Sequence, residues 1–355
     1  EVEVDKLEER YHPLLEPLNR ENFTPDATIV HTIPVYGPLL MPEIEQDMVG
    51  KRILLTTWET EPFPSEEVPP IKGNFDEVWV PTSYCAKAFN DSGIPTKTVP
   101  HCFDLSVWPS RPVASLPRSP VVFYAILTWC ERKNPIGLLK AYWAAFTKGE
   151  DVVLKIVTPG YYEADVTRLM ESFCLKDSPH PFAKVELLGT FGRRLSQVEL
   201  IALHAESHCY VSTARSEGWG LGAFEAAVVG NPVIYPDYSG LTDFLRWYNG
   251  GFDIPVQLTP ALVAPSLGHN RKEVGGVTIQ AEVRNSHVGI RGNQWWCEPD
   301  LWYTVQALRE VYANITTGDW GGNLFAEGHT QRAQYEERYS FATVGKRLRD
   351  LVEQR

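Results

Sequence analysis

The chain has 355 residues, enough for two domains of ordinary size, and 43% of its residues are hydrophobic while 22% are charged. That balance is typical of packed cores and excludes both a disordered chain and a small disulfide-stapled scaffold. Lys and Arg number 33 against 45 Asp and Glu, so the formal net charge is -12. Because the chain has no overall positive field, we expect no binding to nucleic-acid backbones.

No apolar run approaches the roughly 20 residues that span a bilayer, so no transmembrane segment is predicted. The six cysteines have neither CxxC nor Cys/His zinc spacing, and we expect most of them to be reduced, buried thiols, with disulfides or metal ligands as the alternative. Asn-x-Ser/Thr matches at Asn22, Asn90 and Asn314 do not decide the compartment. We expect a cytoplasmic protein, with a secretory lumen as the open alternative, because the chain begins at Glu1 rather than Met.

In chain order, β-rich apolar runs alternate with helical patterns, which predicts an α/β architecture with parallel sheets. The first third contains three predicted strands, Thr28–His31, Arg52–Thr57 and Glu77–Val80. A helix from Tyr84 to Asn90 is expected behind the candidate cap Ser83. Four prolines between Pro109 and Pro120 indicate an interdomain linker.

After the linker the alternation restarts and predicts a second doubly wound domain. The expected strands are Val121–Ile126, Val152–Val157, Lys184–Leu188, Cys209–Ser212 and Pro232–Tyr235. The expected helices are Ile136–Thr147, Glu163–Phe173, Ser196–Ala205, Leu221–Val229, Pro299–Asn314, Thr330–Glu337 and Phe341–Glu353, with candidate caps at Asp243 and Ser340. Residues 252–294 are expected to form loops with short strands. We therefore divide the chain into an N-terminal domain over 1–112, a second domain over 113–329 and C-terminal helices over 330–355.

The segment with the clearest chemistry is a glycine-rich loop between a strand that ends near Ser212 and a helix that begins near Leu221. Unpartnered amides at a helix start, together with the helix dipole, favour an anion such as a diphosphate. Two carboxylates flank this position, Glu217 in the loop and Glu225 inside an otherwise apolar helix. Both carboxylates could accept hydrogen bonds from hydroxyls of a sugar and a ribose that flank a diphosphate. The alternative is a solvated acidic loop followed by a helix with Glu225 on its exposed face, although a Glu in an apolar run is expected to need partners.

The run SEGWGLGAFEAAVVGNPVI resembles the Glu-x7-Glu signature of retaining glycosyltransferase family 4. This family has the GT-B fold, in which two Rossmann-like doubly wound domains face a central cleft and the last helix crosses back onto the N-terminal domain. The resemblance implies that Glu217 contacts the donor sugar and Glu225 the ribose hydroxyls. It also implies that sugar and diphosphate are bound by the amides of Gly218, Trp219, Gly220 and Leu221.

The loop after strand Val121–Ile126, LTWCERKNP, carries a second element of the resemblance. Lys133 matches the family's diphosphate-binding lysine, whereas Thr128 stands where the family has an arginine, so Arg132 becomes the candidate for the second cation. Two solvated cations are the alternative, although cations at a helix start are unfavourable without a compensating anion. The segment Val185–Leu200 is similar to the family's base-binding turn. The resemblance implies that Thr190 and Phe191 contact the nucleotide base, and an ordinary strand-to-helix loop is the alternative.

The N-terminal domain resembles a subgroup of the family with a Trp-Glu pair after a central strand. Ligands of open α/β sheets bind beyond the carboxyl ends of the strands, which places Thr82 and four candidate acceptor-binding residues at the cleft rim. These candidate acceptor-binding residues are Trp58, Glu59, His31 and His101. Structural roles at strand ends are the alternative for all four.

The motifs and the family resemblance together predict a metal-independent glycosyltransferase of carbohydrate biosynthesis, with a nucleoside-diphosphate sugar as donor and a glycan or other hydroxyl-bearing acceptor. The resemblance alone implies that the enzyme is retaining. No DxD motif is present, so Lys133, Arg132 and the helix dipole are expected to stabilise the leaving diphosphate, while Glu217 positions the sugar. No cofactor is expected. The rival hypotheses are a phosphorylase, a sugar-nucleotide epimerase and a catalytically silent nucleotide-sugar-binding protein.

Overall fold

A computed structural model describes residues 26–109, 116–159, 167, 182–190, 192–261, 272–274, 277–279, 294–318 and 328–353. In these ranges the chain forms two parallel sheets with flanking helices and two short antiparallel ribbons, which confirms the α/β class. Phe191, Cys174 and, apart from residue 167, the predicted helix Glu163–Phe173 lie outside the described residues.

The first sheet has four parallel strands in the order β1-β2-β3-β4. They are β1 (Ala27–His31), β2 (Lys51–Leu55), β3 (Glu77–Val80) and β4 (Thr96–Thr98). The helices between them are α1 (Gly37–Ile44), α2 (Val68–Asn74) and α3 (Ser83–Asp91). Successive strand residues point to opposite faces, so Leu54 and Val78 join one apolar cluster while Ile53 and Trp79 join another.

The start of α3 corrects two expectations about helix caps. The cap is Thr82 rather than Ser83, because the Thr82 hydroxyl accepts the amide proton of Cys85 at 3.2 Å. Ser83 instead donates its amide and its hydroxyl to the carboxylate of Asp243, at 2.7 and 2.6 Å. Asp243, the other candidate cap, lies inside the helix Thr242–Leu245, whose cap position is Leu241. Its carboxylate instead ties that helix to the first turn of α3, 160 residues earlier in the chain.

The second sheet has six parallel strands in the order β10-β9-β8-β5-β6-β7. They are β5 (Val121–Ile126), β6 (Val152–Val157), β7 (Lys184–Leu188), β8 (Cys209–Val211), β9 (Val233–Pro236) and β10 (Gly251–Ile254). The first three have the bounds that the sequence predicts, because each is rich in Val, Ile and Leu and is followed by a loop.

The helices of this part of the chain are α4 (Pro135–Ala145), α5 (Gln197–Glu206), α6 (Leu221–Val229), α7 (Thr242–Leu245), α8 (Leu301–Thr317), α9 (Gly328–Tyr339) and α10 (Phe341–Glu353). Phe123 and Ala125 of β5 face the cluster that contains α4 and α8 residues. Tyr124, between them, faces the cluster with residues of α5, α6 and α9. Helices therefore cover both faces of the sheet, as in a doubly wound fold.

Two antiparallel ribbons complete the described elements. One pairs β11 (Val256–Pro260) with β14 (Trp295–Pro299), and the other pairs β12 (Lys272–Val274) with β13 (Val277–Ile279). Strands β11, β12 and β13 are short, as the sequence predicts for residues 252–294.

The end of the described chain returns to the first sheet. Val344 of α10 is 2% exposed and packs in one cluster with Ile53, Trp79 and Val99. Phe103 also donates its amide to the Tyr339 carbonyl at 2.9 Å. Among the helices that the structure describes, none is both long enough and apolar enough to cross a membrane.

The strand order of the second sheet locates its binding edge. The chain runs from β5 outward through β6 to β7, then returns to β8 on the other side of β5 and continues to β9 and β10. Ligands of open α/β sheets bind at such a reversal, beyond the carboxyl ends of the two strands. The loops after β5 (127–134) and after β8 (212–220) meet there, and we call them the donor loops after the role that the family resemblance implies for them.

Candidate active site

Three charged side chains converge where the donor loops meet. Arg132 Nη1 donates to Glu217 Oε2 at 3.0 Å, and Lys133 Nζ donates to Glu217 Oε1. Arg132 and Glu217 are 7% and 8% exposed, so the contact lies almost wholly inside the protein. The structure therefore brings together the three residues that the sequence assigned to catalysis, in a mutual ion-pair cluster.

Backbone hydrogen bonds fix both donor loops around this cluster. Arg132 Nη1 also donates to the Ser216 carbonyl at 2.7 Å, and the Arg215 amide donates to the Arg132 carbonyl at 2.7 Å. From the loop after β9, the Ser239 hydroxyl accepts the Glu217 amide proton at 2.9 Å. The Glu217 backbone is thus held between three loops, which limits the positions that its carboxylate can take.

The cluster keeps Glu217 ionised. Burial raises the pKa of the Glu217 carboxyl, but the charges of Lys133 and Arg132 and their hydrogen bonds outweigh that effect, and the pKa lies below its usual range. Burial opposes the charge on Arg132, yet Glu59 and Glu217 together raise the pKa of its guanidinium. At neutral pH the site therefore holds fully formed charges rather than a shared proton.

The glycines of the loop allow α6 to begin close to the cluster. Gly220 has φ +96°, a left-handed conformation that a side chain would strain, and it caps the helix. At Gly222 a Cβ atom would lie 2.7 Å from the Tyr210 hydroxyl oxygen, so only glycine lets α6 pack this closely on β8. Leu221, the first residue of α6, is 51% exposed, which leaves this helix start open to a ligand.

Glu225 lies one turn further along α6 and faces a histidine. Its Oε2 is 3.2 Å from Nε2 of His204, a fully buried residue of α5, while the Glu225 side chain stays 16% exposed. Burial and the charges of Glu217 and Glu225 all raise the pKa of Tyr210, so this tyrosine lies near both carboxylates. The two acidic residues of the signature therefore border the same region.

No protein-family model and no curated protein matches the sequence. Solved structures match its fold. Sucrose-phosphate synthase from Thermosynechococcus elongatus is 14% identical, with a TM-score of 0.62 over 92% of this chain and 73% of that one. Anabaena Alr3699/HepE, solved with UDP and glucose, is 14% identical, with a TM-score of 0.59 over 92% of this chain and 78% of that one.

TarM from S. aureus, solved as a mutant with Fondaparinux, alpha-GlcNAc-glycerol and UDP, is 15% identical, with a TM-score of 0.61 over 96% of this chain. The chain spans little more than half of TarM, 58% of its length. These neighbours share two Rossmann-like domains. The chain has the GT-B fold.

The carboxyl edge of the first sheet packs directly on the donor loops of this GT-B fold. The Thr82 hydroxyl donates to the Gly218 carbonyl at 3.0 Å, and a Cβ atom on Gly218 would lie 3.0 Å from Cβ of Thr57. Glu59 Oε1 is 3.5 Å from Arg132 Nη2. Glu59 therefore adds a fourth charge to the cluster from the opposite domain.

The other residues that the sequence assigned to the acceptor lie at the same edge, which we call the N-terminal edge (His31, 56–60 and His101). Trp58 is 3% exposed and its ring meets that of Phe63 edge-on at 5.0 Å, so no face of the indole is open for stacking in this structure. His101 meets the Trp219 ring edge-on at 5.4 Å, and burial, followed by the proximity of His31, lowers the pKa of its imidazole. His31 is exposed.

The remaining candidates occupy the rims of the second sheet. Trp219 is 4% exposed and packs on Phe224 and Phe244, so its side chain belongs to the core while its backbone belongs to the donor loop. Thr128 and Thr190 are partly exposed in the loops after β5 and β7. Phe191 lies outside the described residues.

Sequence reasoning missed three residues that shape the site: His204, Ser216 and Ser239. Each acts through a contact with a residue far away in the chain, and no local pattern marks such a partner. Only Glu225 gave a signal, because a carboxylate inside an otherwise apolar helix is expected to need a partner, although the sequence does not identify that partner. Thr82, by contrast, is expected at the cleft rim from the sequence, and in the structure its hydroxyl donates to the Gly218 carbonyl.

A cavity of about 480 Å³ lies beside the first donor loop, lined by residues that include Trp129, Asn134, Lys140, Arg215 and Glu298. Glu217, Arg132 and Lys133 do not line it, so it does not mark the charged cluster. Within the ranges that the structure describes, no three His, Cys, Asp or Glu side chains are grouped so as to hold a metal ion.

Proposed function

We propose that the chain is a retaining glycosyltransferase, which moves a sugar from a nucleoside-diphosphate sugar to a hydroxyl group of a glycan or other acceptor. The observation that carries this proposal is the ion-pair cluster of Glu217, Arg132 and Lys133 at the switch point of a GT-B fold. The structural neighbours TarM and HepE, solved with UDP, support the choice of donor.

The charge balance of the cluster suggests how a donor enters. Arg132 and Lys133 carry two positive charges, and Glu217 and Glu59 carry two negative ones, so the ligand-free cluster is neutral. A diphosphate adds negative charge and competes for the two cations. We infer that Lys133, which is more exposed than Arg132, turns to the diphosphate, while Glu217 accepts hydrogen bonds from the sugar hydroxyls instead.

This exchange also serves the chemical step. Negative charge builds up on the diphosphate as the glycosidic bond breaks, and Lys133, Arg132 and the open start of α6 lie where that charge would develop. Glu217 keeps its ion pair with Arg132 and accepts hydrogen bonds from the sugar hydroxyls, which favours a positioning role over a nucleophilic one. The acceptor hydroxyl would then attack from the face that the diphosphate leaves, with a phosphate oxygen taking its proton.

The test is a donor screen on the full chain. UDP-, GDP- and ADP-sugars are each incubated with an oligosaccharide mixture, with and without EDTA, and release of nucleoside diphosphate is measured. We expect release with one base, persistence in EDTA, and a product whose anomeric configuration by NMR matches that of the donor.

Other outcomes select the rivals. Inversion of the anomeric centre contradicts the retaining mechanism, and activity that EDTA abolishes and Mn²⁺ or Mg²⁺ restores contradicts metal independence. Phosphorolysis of a glycan without nucleotide indicates a phosphorylase, and conversion of the nucleotide sugar to its epimer without transfer indicates an epimerase. Binding without any turnover indicates a silent nucleotide-sugar-binding protein.

A further inference from the structure

Behind Glu225 lies a buried chain of hydrogen bonds that the proposed reaction does not use directly. Its members are Asn231, Tyr124, His204 and Glu225. Asn231 Nδ2 is 2.9 Å from the Tyr124 hydroxyl, this hydroxyl is 2.7 Å from His204 Nδ1, and His204 Nε2 is 3.2 Å from Glu225 Oε2. Tyr124 and His204 are both 0% exposed.

The direction of the chain follows from its first atom. Asn231 Nδ2 also lies 2.6 Å from the His204 carbonyl oxygen, which only accepts hydrogen bonds, so this end of the side-chain amide is the donor. The Tyr124 hydroxyl therefore accepts a proton from Asn231. Burial raises the pKa of Tyr124 well above its usual range, so the phenol keeps its own proton to donate.

That proton goes to His204 Nδ1, because within the described chain the Tyr124 hydroxyl has no other partner than Asn231 and His204. With Nδ1 as acceptor, the imidazole carries its proton on Nε2 and donates it to Glu225 Oε2. The Trp108 ring meets the imidazole edge-on at 5.5 Å and restricts its rotation. Four side chains thus orient one carboxylate.

We propose that His204 is a positioning residue, which fixes the Glu225 carboxylate so that its second oxygen accepts hydrogen bonds from the ribose hydroxyls of the donor. In the part of the chain that the structure describes, Glu225 Oε1 has no hydrogen-bond partner, and the partly exposed side chain lets a ligand reach it. A carboxylate with one oxygen already occupied presents the other in a defined direction and loses less rotamer entropy on binding. The inference rests on the proposed function, since it presumes a ribonucleotide in the cleft.

Two substitutions separate positioning from packing. In His204→Gln the amide nitrogen takes the place of Nε2 and keeps a donor for Glu225. In His204→Asn the shorter amide takes the place of Nδ1 and keeps a partner for Tyr124, but it does not reach Glu225. Both place a neutral amide in the same buried position, so each is the control for the other.

The measurement is calorimetric titration of the full chain with two probes. One is whichever of UDP, GDP, ADP and CDP binds the wild type most tightly, and the other is its 2′,3′-dideoxy form. His204→Asn loses the hydrogen bond to the charged Glu225, so it should weaken the affinity for the ribonucleotide about tenfold. The affinity of His204→Gln should stay within about threefold of the wild-type value. The dideoxynucleotide should bind all three proteins alike, and Glu225→Ala combined with His204→Asn should weaken ribonucleotide binding no more than Glu225→Ala alone.

The outcomes keep the two claims apart. Equal weakening of ribonucleotide and dideoxynucleotide, or no effect of His204→Asn on a correctly melting protein, overturns the inference and leaves the proposed function standing. If His204→Asn and His204→Gln weaken ribonucleotide binding equally, His204 acts through packing and the inference is again overturned. If no nucleoside diphosphate binds the wild type, the proposed function fails and the inference fails with it.

Discussion

The donor loops and the N-terminal edge face each other across the same contact but are built differently. The donor loops carry charged side chains that pair with one another, and their glycines leave a helix start open. The N-terminal edge contributes mainly packing, with Trp58 buried and Glu59 paired with Arg132. Among the described residues, the charges of the cluster thus come mostly from one side of the contact, while the other side supplies mostly apolar packing.

The largest expected effect tests the packing role of this edge. Trp58→Ala removes an indole that is 3% exposed and packs on Phe63, so the free energy of unfolding should fall by about 3–5 kcal/mol. Urea unfolding measures the loss, and Trp58→Phe, which keeps an aromatic ring, should lose less. Unchanged stability with a raised acceptor KM would instead restore the stacking role that the sequence suggested.

The second effect tests the chemistry of the donor loops. Glu217→Gln removes the charge that balances Arg132 and Lys133 and weakens the acceptor for the sugar, so turnover at saturating donor should fall about 10²-fold. Glu131→Gln is the control, because Glu131 lies on the same loop as Arg132 and Lys133 but 59% of its side chain is exposed. Comparable turnover of wild type and Glu217→Gln would refute the assignment.

A pH series should separate the two regions, because their titrating groups respond in different ranges. The pKa of His101 is lowered from 6.5, so the stability it contributes is complete above about pH 6.5 and is lost as the pH falls through its folded value. The pKa of Glu217 is lowered from 4.5, so the stability that its charge contributes is complete above about pH 4.5 and is lost as the pH falls through the folded pKa.

Unfolding by urea between pH 7.5 and 3.5 measures both ranges. His101→Gln should flatten the profile only in the upper range, and Glu217→Gln only in the lower one. If His101→Gln leaves the pH dependence of the unfolding free energy unchanged, protonation of the buried His101 does not destabilise the fold, and this prediction is wrong.

The smallest effect concerns Glu59, whose side chain is 26% exposed and lies 3.5 Å from Arg132. Glu59→Gln should change the free energy of unfolding by less than about 1 kcal/mol, as for other partly exposed ion pairs. If Glu59 binds the acceptor, the substitution raises the acceptor KM and leaves donor affinity unchanged. Equilibrium donor titration beside acceptor kinetics measures both, and unaltered acceptor kinetics would remove Glu59 from the acceptor site.

The same contrast explains what the sequence could predict. Strands β5, β6 and β7 and helix α6 have their predicted bounds, because apolar runs between turn residues are local signals. The family resemblance also predicted that Glu217 and Lys133 belong to one site, and the structure brings their side chains into contact.

Partners far apart in the chain were beyond such reasoning. Ser83 looks like a cap, but its hydroxyl bonds to Asp243, and the true cap is its neighbour Thr82. From the sequence, Trp58 is a candidate for stacking on a sugar ring. The structure buries it, and burial depends on how the whole edge is assembled rather than on the Trp58-Glu59 pair. Glu225 needed a partner, yet nothing nearby in sequence distinguishes His204 as that partner.

The return of α10 to the first sheet has a consequence for synthesis. Ile53 and Trp79 are translated early, but the cluster that shields them from water closes only when Val344 arrives, more than 260 residues after Trp79. Contacts of such long sequence separation form late, and exposed apolar strands attract other chains in the meantime. We therefore expect that nascent chains stalled before residue 344 bind chaperones through β2 and β3, and that release follows once α10 leaves the ribosome.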